Sequence, residues 1–177
     1  MVNQQIGSGK AAAGCLPVCP EAVRGSQPGT GVKTGRKEVQ MKDKNCIFCR
    51  INSGQIPSAT LYEDPDFRVI LDINPVSKGH ALIIPKEHYE DLFEIPRDTL
   101  EKAAGLSQKI AGILKAGLDA DGFNLLQNNG KAGGQMVPHF HIHLIPRYRD
   151  DGIRFRMKSG KLEDTEREEI LELFQSR

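Results

Sequence analysis

No stretch of this 177-residue chain approaches the ~18 consecutive apolar residues of a membrane-spanning helix. The N-terminus also lacks the apolar core of a secretory signal. Strong charge of either sign is missing, since 24 Lys/Arg face 23 Asp/Glu for a formal balance of +1. No internal repeat is present, which removes solenoids and propellers. With 27% charged and 38% apolar residues, a soluble globular protein of one domain is expected, with no bulk argument for nucleic acid or membrane partners. A cytoplasmic setting follows as the default. The cysteines are then expected to be reduced, metal-bound or catalytic rather than bridged.

The charge is unevenly placed. Residues 1–40 carry five Lys/Arg against two Asp/Glu, and the other 137 residues carry 19 against 21, so basic character belongs to the N-terminal segment. That segment has no Phe, Tyr or Trp and holds seven of the 18 glycines. It cannot bury enough apolar surface to offset its ordering entropy, and disorder is expected. Cys15 and Cys19 lie inside it. Three regions follow: an extension at 1–40, a domain at 41–150, and a C-terminal segment at 151–177 with a helix.

Within the domain, Cys46 to Ile51 predicts a short helix closed near Gly54. Leu61–Glu63 and Phe67–Ile73 predict strands joined through Asp64-Pro65-Asp66. A third strand is expected at His80–Pro85 and a short helix at His88–Phe93. Asp98 and Glu101 have capping-box spacing, so a main helix should start with Asp98 as its N-cap. Its apolar stripe runs through Leu100, Ala103, Leu106, Ile110 and Leu114, and Gly117 or Gly122 should end it. A fourth strand is expected at Phe123–Gln127, a loop at Asn128–Gly134, a fifth strand at the histidines, and a last helix near Asp164–Gln175. The order predicts an α+β domain. It has a mostly antiparallel sheet of about five strands, one main helix and short flanking helices, with helices on one face and the histidines near one edge.

The chemistry concentrates in His139-Phe140-His141-Ile142-His143. Alternation on a strand sends the three imidazoles to one face and Phe140, Ile142 and Leu144 to the other, with Pro138 and Pro146 as brackets. A half-buried strand does not need three histidines, so the row points to chemistry. Its first and last members lie roughly 13 Å apart along a strand. A zinc–nitrogen bond is only about 2.0–2.1 Å, so the row divides labour rather than caging one ion. The middle histidine is the natural nucleophile. The glycine-rich loop Asn128 to Gln135 is a phosphate-binding candidate, because glycines let backbone N–H groups approach an anion. Cys46-x-x-Cys49 is either a redox pair, which prefers a βαβ setting not seen here, or half of a zinc site.

The run Gly134 to Arg147, with its Gly-Gln lead-in and Pro-Arg exit, resembles the signature of the histidine-triad (HIT) nucleotide-binding family. The likeness extends from about Asn45 to Tyr148. It does not cover residues 1–40 and is weak after about Asp150. It implies the HIT-like fold and a homodimer acting on a purine nucleotide or its conjugate.

By the same resemblance, His141 attacks the α-phosphorus to give a covalent nucleotidyl-histidine that water hydrolyses, while His143 contacts the phosphate and passes a proton to the leaving group. Repulsion between adjacent imidazolium ions is expected to help keep one ring neutral. Asn128, Gly134 and Gln135 would contact the phosphate and Asp72 the ribose hydroxyls. Ile47, Phe48, Ile51, Ile70 and Ile73 would sandwich the base. Likeness to bacterial members implies a structural zinc on Cys46, Cys49, His88 and His139, with no catalytic cofactor. His80 would support the site. Met136 departs from the eukaryotic phosphoramidases, which carry a serine there. The expected activity is hydrolysis of nucleoside phosphoramidates, substituted adenylates or dinucleoside polyphosphates. The alternative is a non-catalytic purine-nucleotide-binding module. A nucleotidyl transferase is a third reading, but transferase branches often replace the last histidine with glutamine, and His143 is intact.

Overall fold

The computed structural model describes residues 43–155 and 158–175. The expectation of disorder in residues 1–40, with Cys15 and Cys19, lies outside the described residues. Five strands form one antiparallel sheet: β1 (Thr60–Glu63), β2 (Phe67–Leu71), β3 (Ala81–Pro85), β4 (Gly122–Leu126) and β5 (Ile142–Arg147), in the order β1-β2-β3-β5-β4. The helices are α1 (Ile47–Asn52), α2 (Arg97–Leu118) and α3 (Asp164–Gln175).

Alternation in β2 and β3 supplies two cores. Phe67, Val69, Ala81 and Ile83 face α2, where Ala103, Leu106 and Ile110 recur at helical spacing beside Phe140, Ile142 and Leu144. Ile70, Leu82 and Ile84 face the other way, under Phe48 and Ile51 of α1. The expectation of helices on one face is therefore corrected: α1 and α2 cover opposite faces. That is why β3 is apolar at every position, as a strand buried on both sides must be. The β1–β2 turn is held by the Asp64 carboxylate, which accepts the amides of Asp66 and Phe67 at 2.8 and 2.7 Å.

Three further local expectations fail for physical reasons. The predicted capping box is not made. Pro96 takes the N-cap position, and its fixed φ starts the helix at Arg97 without a side-chain cap. Glu101 instead pairs with Arg97 at 2.8 Å. The helix ends on Asp119 in the left-handed region (φ 53°), not on Gly117 or Gly122. No helix forms at His88–Phe93. There the Asp91 carboxylate accepts the Phe93 amide, the Leu92 amide goes to Asn129 and the Tyr89 carbonyl accepts from Phe140, so the backbone bonds a helix needs are spent elsewhere.

Regular pairing in β5 begins only at Ile142, and Pro146 lies inside the strand rather than bracketing it. Pairing with β3 stops at Leu144, so Pro146 sits beyond the partner that would need its amide. Helix α3 packs no residue into the core. Among the described residues, no helix is long and apolar enough to cross a membrane.

Candidate functional site

Strand β5 lies one position in from the edge, with β3 on one side and β4 on the other. His143 pairs with Leu82 of β3 and Leu126 of β4. His139 and His141 precede the regular strand, yet the alternation holds: Phe140 and Ile142 enter the α2 core while the histidine rings stack on the α1 side. The His141 and His143 ring centres are 4.9 Å apart, and the edge of Phe48 meets His141 at 5.0 Å.

Each ring is oriented by a specific partner. His141 Nδ1 lies 2.7 Å from the His139 carbonyl oxygen, which can only accept, so Nδ1 carries the hydrogen and Nε2 keeps its lone pair. The Val76 amide donates to His80 Nδ1 at 3.3 Å. His80 Nε2 therefore carries its hydrogen and donates to His143 Nδ1 at 3.0 Å, which leaves the hydrogen of His143 on Nε2. The wiring thus produces one bare nitrogen and one N–H on neighbouring rings. Asp72 Oδ2 stands 3.6 Å from His80 Nε2 and 4.0 Å from His143 Nδ1, and its Oδ1 accepts the Asn74 amide.

Burial is the main reason these rings resist protonation. It lowers His141 and holds His143 down at about 4, aided in His143 by the His141 and His80 rings and opposed by Asp72. Repulsion between neighbouring rings, expected to help, does so in His143 but ranks behind desolvation. His80 is lowered in the same way, again against the pull of Asp72.

The row opens on a cleft of about 910 Å³. Ile47, Phe48, Ile51, Ile70 and Ile73 all line it, as do Asp72, Asn128 and Gly134. Gln135 does not. Its Oε1 accepts the Gly130 amide and its Nε2 donates to the Glu90 carbonyl, both at 2.7 Å, so it braces the loop from behind. The loop needs its glycines: Gly134 has φ +84°, and a Cβ on Gly133 would sit 2.3 Å from the Asn129 carbonyl oxygen. Sequence reasoning missed Ile153 and Phe155, which also line the cleft. They are brought there by Arg147, which grips Asp151 with Nε and Nη2 at 2.6 and 2.8 Å and donates to the Ile153 carbonyl. The Arg147/Asp151 spacing beside Gly152 was the available signal.

On the far side of His141 a second cluster forms. Cys46, Cys49, His88 and His139 bring four ligand atoms within 4.8 Å of one another, and they could hold a metal ion. Cys46 Sγ and Cys49 Sγ lie 3.3 and 3.6 Å from His139 Nδ1, and the Nδ1 atoms of His88 and His139 are 3.1 Å apart. His139 Nε2 donates to the Pro85 carbonyl at 3.0 Å, which leaves Nδ1 bare and aimed at the two thiols. Ligand atoms on a ~2.0–2.3 Å tetrahedron stand at such spacings, so the donor set fits a Cys₂His₂ centre. Without a cation, burial pushes the Cys49 thiol up to about 11. Asp72, His80 and His143 also converge, but both nitrogens of His80 and Nδ1 of His143 are already committed to one another and to the Val76 amide.

Residues 53–150 match the HIT domain family model. The chain belongs to the HIT family. An uncharacterised HIT-like protein of Methanocaldococcus jannaschii is 44% identical over 126 residues, covering 71% of this chain and 95% of the relative. Two relatives with named activities are an adenosine 5'-monophosphoramidase of Saccharomyces cerevisiae (45% identical, 59% of this chain and 64% of the relative) and an adenylylsulfatase of Arabidopsis thaliana (43%, with 66% and 59%). Among solved structures, a Bacillus anthracis HIT family protein aligns with a TM-score of 0.69 at 40% identity over 75% of this chain and 96% of that one. A zinc-bound histidine triad family protein from Mycobacterium smegmatis aligns with a TM-score of 0.61 at 39% identity over 75% and 98%. Nucleotide hydrolysis is thus an activity of named members of this HIT protein's family.

Proposed function

We propose that this HIT protein hydrolyses substituted adenosine monophosphates and related purine nucleotides at the α-phosphorus, through a covalent nucleotidyl group on His141. The observation that carries the reading is the opposed wiring of the two neighbouring rings: His141 keeps a lone pair on Nε2 while His143 keeps a hydrogen there. The nucleoside lies in the apolar part of the cleft beside α1, with Asp72 accepting from the ribose hydroxyls and Asn128 and Gly134 flanking the phosphate.

His141 Nε2 attacks phosphorus and the bond from phosphorus to the leaving nitrogen or oxygen breaks. The bound phosphate anion favours an additional proton on the His80–His143 pair, and the proton on His143 Nε2 departs with the leaving group. Water then attacks the phosphorus and gives its proton back to His143. The Nε2–phosphorus bond breaks, and both rings return to their starting state. No cofactor takes part in these steps.

The second cluster fits a structural zinc, which when bound would fasten Cys46 and Cys49 of the α1 turn to His88 and His139. Its place is beside the reaction, because His139 also supplies the carbonyl that orients His141. The reading includes a homodimer in the cytoplasm. Exposed Ile113 of α2 and Leu125 on edge strand β4 offer apolar surface for self-association.

Mass spectrometry of protein quenched with adenosine phosphoramidate tests the reading. An adenylyl group should appear on His141, and His141→Ala should bind nucleotide while losing at least ~10³-fold in turnover. Wild-type protein that binds nucleotide but turns over no adenylate would establish the non-catalytic module instead.

A further inference from the structure

The chemistry proposed above needs a third hydrogen on the His80–His143 pair, and the structure leaves one place for it. At rest the two rings hold two hydrogens on four nitrogens. One lies in the 3.0 Å bond between His80 Nε2 and His143 Nδ1, and the other is on His143 Nε2. The last nitrogen, His80 Nδ1, accepts the Val76 amide at 3.3 Å. While the bond between the rings is kept, it holds a single hydrogen, whichever ring owns it. A third hydrogen can then sit only on His80 Nδ1, where it would point at the Val76 N–H. Two donors cannot share that contact, so the pair stays at two hydrogens for as long as the amide faces it.

The amide belongs to the loop between β2 and β3, which is pinned at both ends. Asp72 Oδ1 accepts the Asn74 amide at 2.8 Å, and the Asp72 amide donates to the His80 carbonyl at 3.0 Å. At the far end Tyr148 Oη donates to the Lys78 carbonyl at 3.0 Å, and Gly79 (φ +86°) packs so closely that a Cβ there would collide with Leu118. Between these anchors Pro75 and Val76 are exposed, and Asn74 and Val76 line the cleft. One planar peptide unit carries the Pro75 carbonyl and the Val76 N–H on opposite sides. Turning it exchanges a donor for an acceptor in front of His80 Nδ1 and leaves both anchors in place.

The other groups facing the pair are Asp72, 3.6 Å from His80 Nε2 and 4.0 Å from His143 Nδ1, and the His141 ring, whose centre is 4.9 Å from that of His143. Leu82 and Leu126 flank His143 from β3 and β4. Burial lowers both rings of the pair and Asp72 opposes it. A bound phosphate would add to the pull of Asp72.

We propose that the Pro75–Val76 peptide is a proton gate, in which the Val76 amide is a positioning group that acts through His80. With the amide facing His80 Nδ1, the pair is neutral. Nucleotide phosphate draws a proton onto that nitrogen, and the peptide turns so that the Pro75 carbonyl accepts it. As the phosphorus–nitrogen bond of a phosphoramidate breaks, His143 Nε2 gives its hydrogen to the leaving amine. The hydrogen between the rings passes from His80 Nε2 to His143 Nδ1, and the pair is left neutral with two hydrogens. Water in the second step returns a hydrogen to His143 Nε2, and the shift reverses. The inference rests on the hydrolase reading and deepens it.

NMR of the full-length protein carrying isotope-labelled histidine tests the gate, free and bound to AMP. His80 Nδ1 should be bare in the free protein and should carry a hydrogen in the AMP complex. An ester in place of the Val76 amide, made with the α-hydroxy acid at position 76, should raise the titration midpoint of the free pair by about one pH unit. The high-pH limb of kcat on adenosine phosphoramidate should rise with it. Val76→Pro removes the same N–H and should act likewise, while Val76→Ala keeps the N–H and should keep the wild-type midpoint. A loop that is merely structural would lower the melting temperature and leave the midpoint in place. A bare His80 Nδ1 in the AMP complex throughout the stable pH range, hydrogens on both facing nitrogens of the pair, or an unmoved midpoint in the ester protein would overturn the gate, even with an adenylyl group trapped on His141. A hydrogen on His80 Nδ1 with AMP bound, but no turnover of adenosine phosphoramidate, would support the gate and refute the hydrolase reading.

Discussion

His80 gives the sharpest test of how the site is wired. It is buried, it is assigned no direct contact with substrate, and its two ring nitrogens are both engaged: Nδ1 by the Val76 amide at 3.3 Å and Nε2 by His143 Nδ1 at 3.0 Å. His80→Ala removes the donor that keeps the hydrogen of His143 on Nε2. A hydrogen bond of this kind is worth ~1 kcal/mol net, which biases the His143 tautomer by up to ~10-fold. Adding the lost route for the extra proton, kcat should fall ~10–10²-fold with KM for the adenylate little changed. The buried partners left behind should cost about 1–3 kcal/mol of stability.

The assay is a double-mutant cycle on adenosine phosphoramidate hydrolysis with His80→Ala and His143→Ala. If His80 acts through His143, adding His80→Ala to His143→Ala costs little more in kcat. Full additivity of the two losses, or a His80→Ala enzyme with unchanged kcat and only a lower melting temperature, would refute the relay.

Three further outcomes are expected. Metal analysis should find one zinc per chain, absent in Cys46→Ser and Cys49→Ser. Stripping it with a chelator should remove ~4 kcal/mol of stability if free metal had stood near a thousand times its Kd, read as a drop in denaturation midpoint. Gln135→Ala should cost about 1–3 kcal/mol of stability by freeing the Gly130 amide and the Glu90 carbonyl; a rise in KM with no change in stability would instead mean that Gln135 touches the phosphate. Acid should destabilise the fold. His143 is held at about 4 against an ordinary 6.5, so between these values the unfolded chain takes up a proton that the folded chain refuses. That stability is present above about pH 6.5, is lost progressively as pH falls towards 4, and its slope should shrink in His143→Asn, as urea unfolding at several pH values would show.

The element types were legible in the sequence because each rests on a local rule. Short unbroken apolar runs rich in β-branched residues, Val69 to Leu71 and Ala81 to Ile84, mark strands buried on both faces, and period-3.6 spacing from Leu100 to Leu114 marks a helix. The element boundaries were less legible. Pro96 displaced the capping box, and tertiary bonds from Asn129 and Phe140 unmade the helix expected at His88–Phe93.

The histidine row belongs to the sequence alone: its residue types, its alternation and its glycine-rich lead-in stand in one continuous run, and one-face placement follows from the pleat. What that row touches was decided only by the tertiary structure. Strand order sets His80 against His143 across 63 positions and Cys46 against His139 across 93, and Arg147 draws Phe155 to the cleft. No spacing rule reaches so far along a chain. Which nitrogen holds a hydrogen, which ring stays neutral and which residues wall the cleft depend on neighbours supplied by other elements, and on how much water those elements exclude.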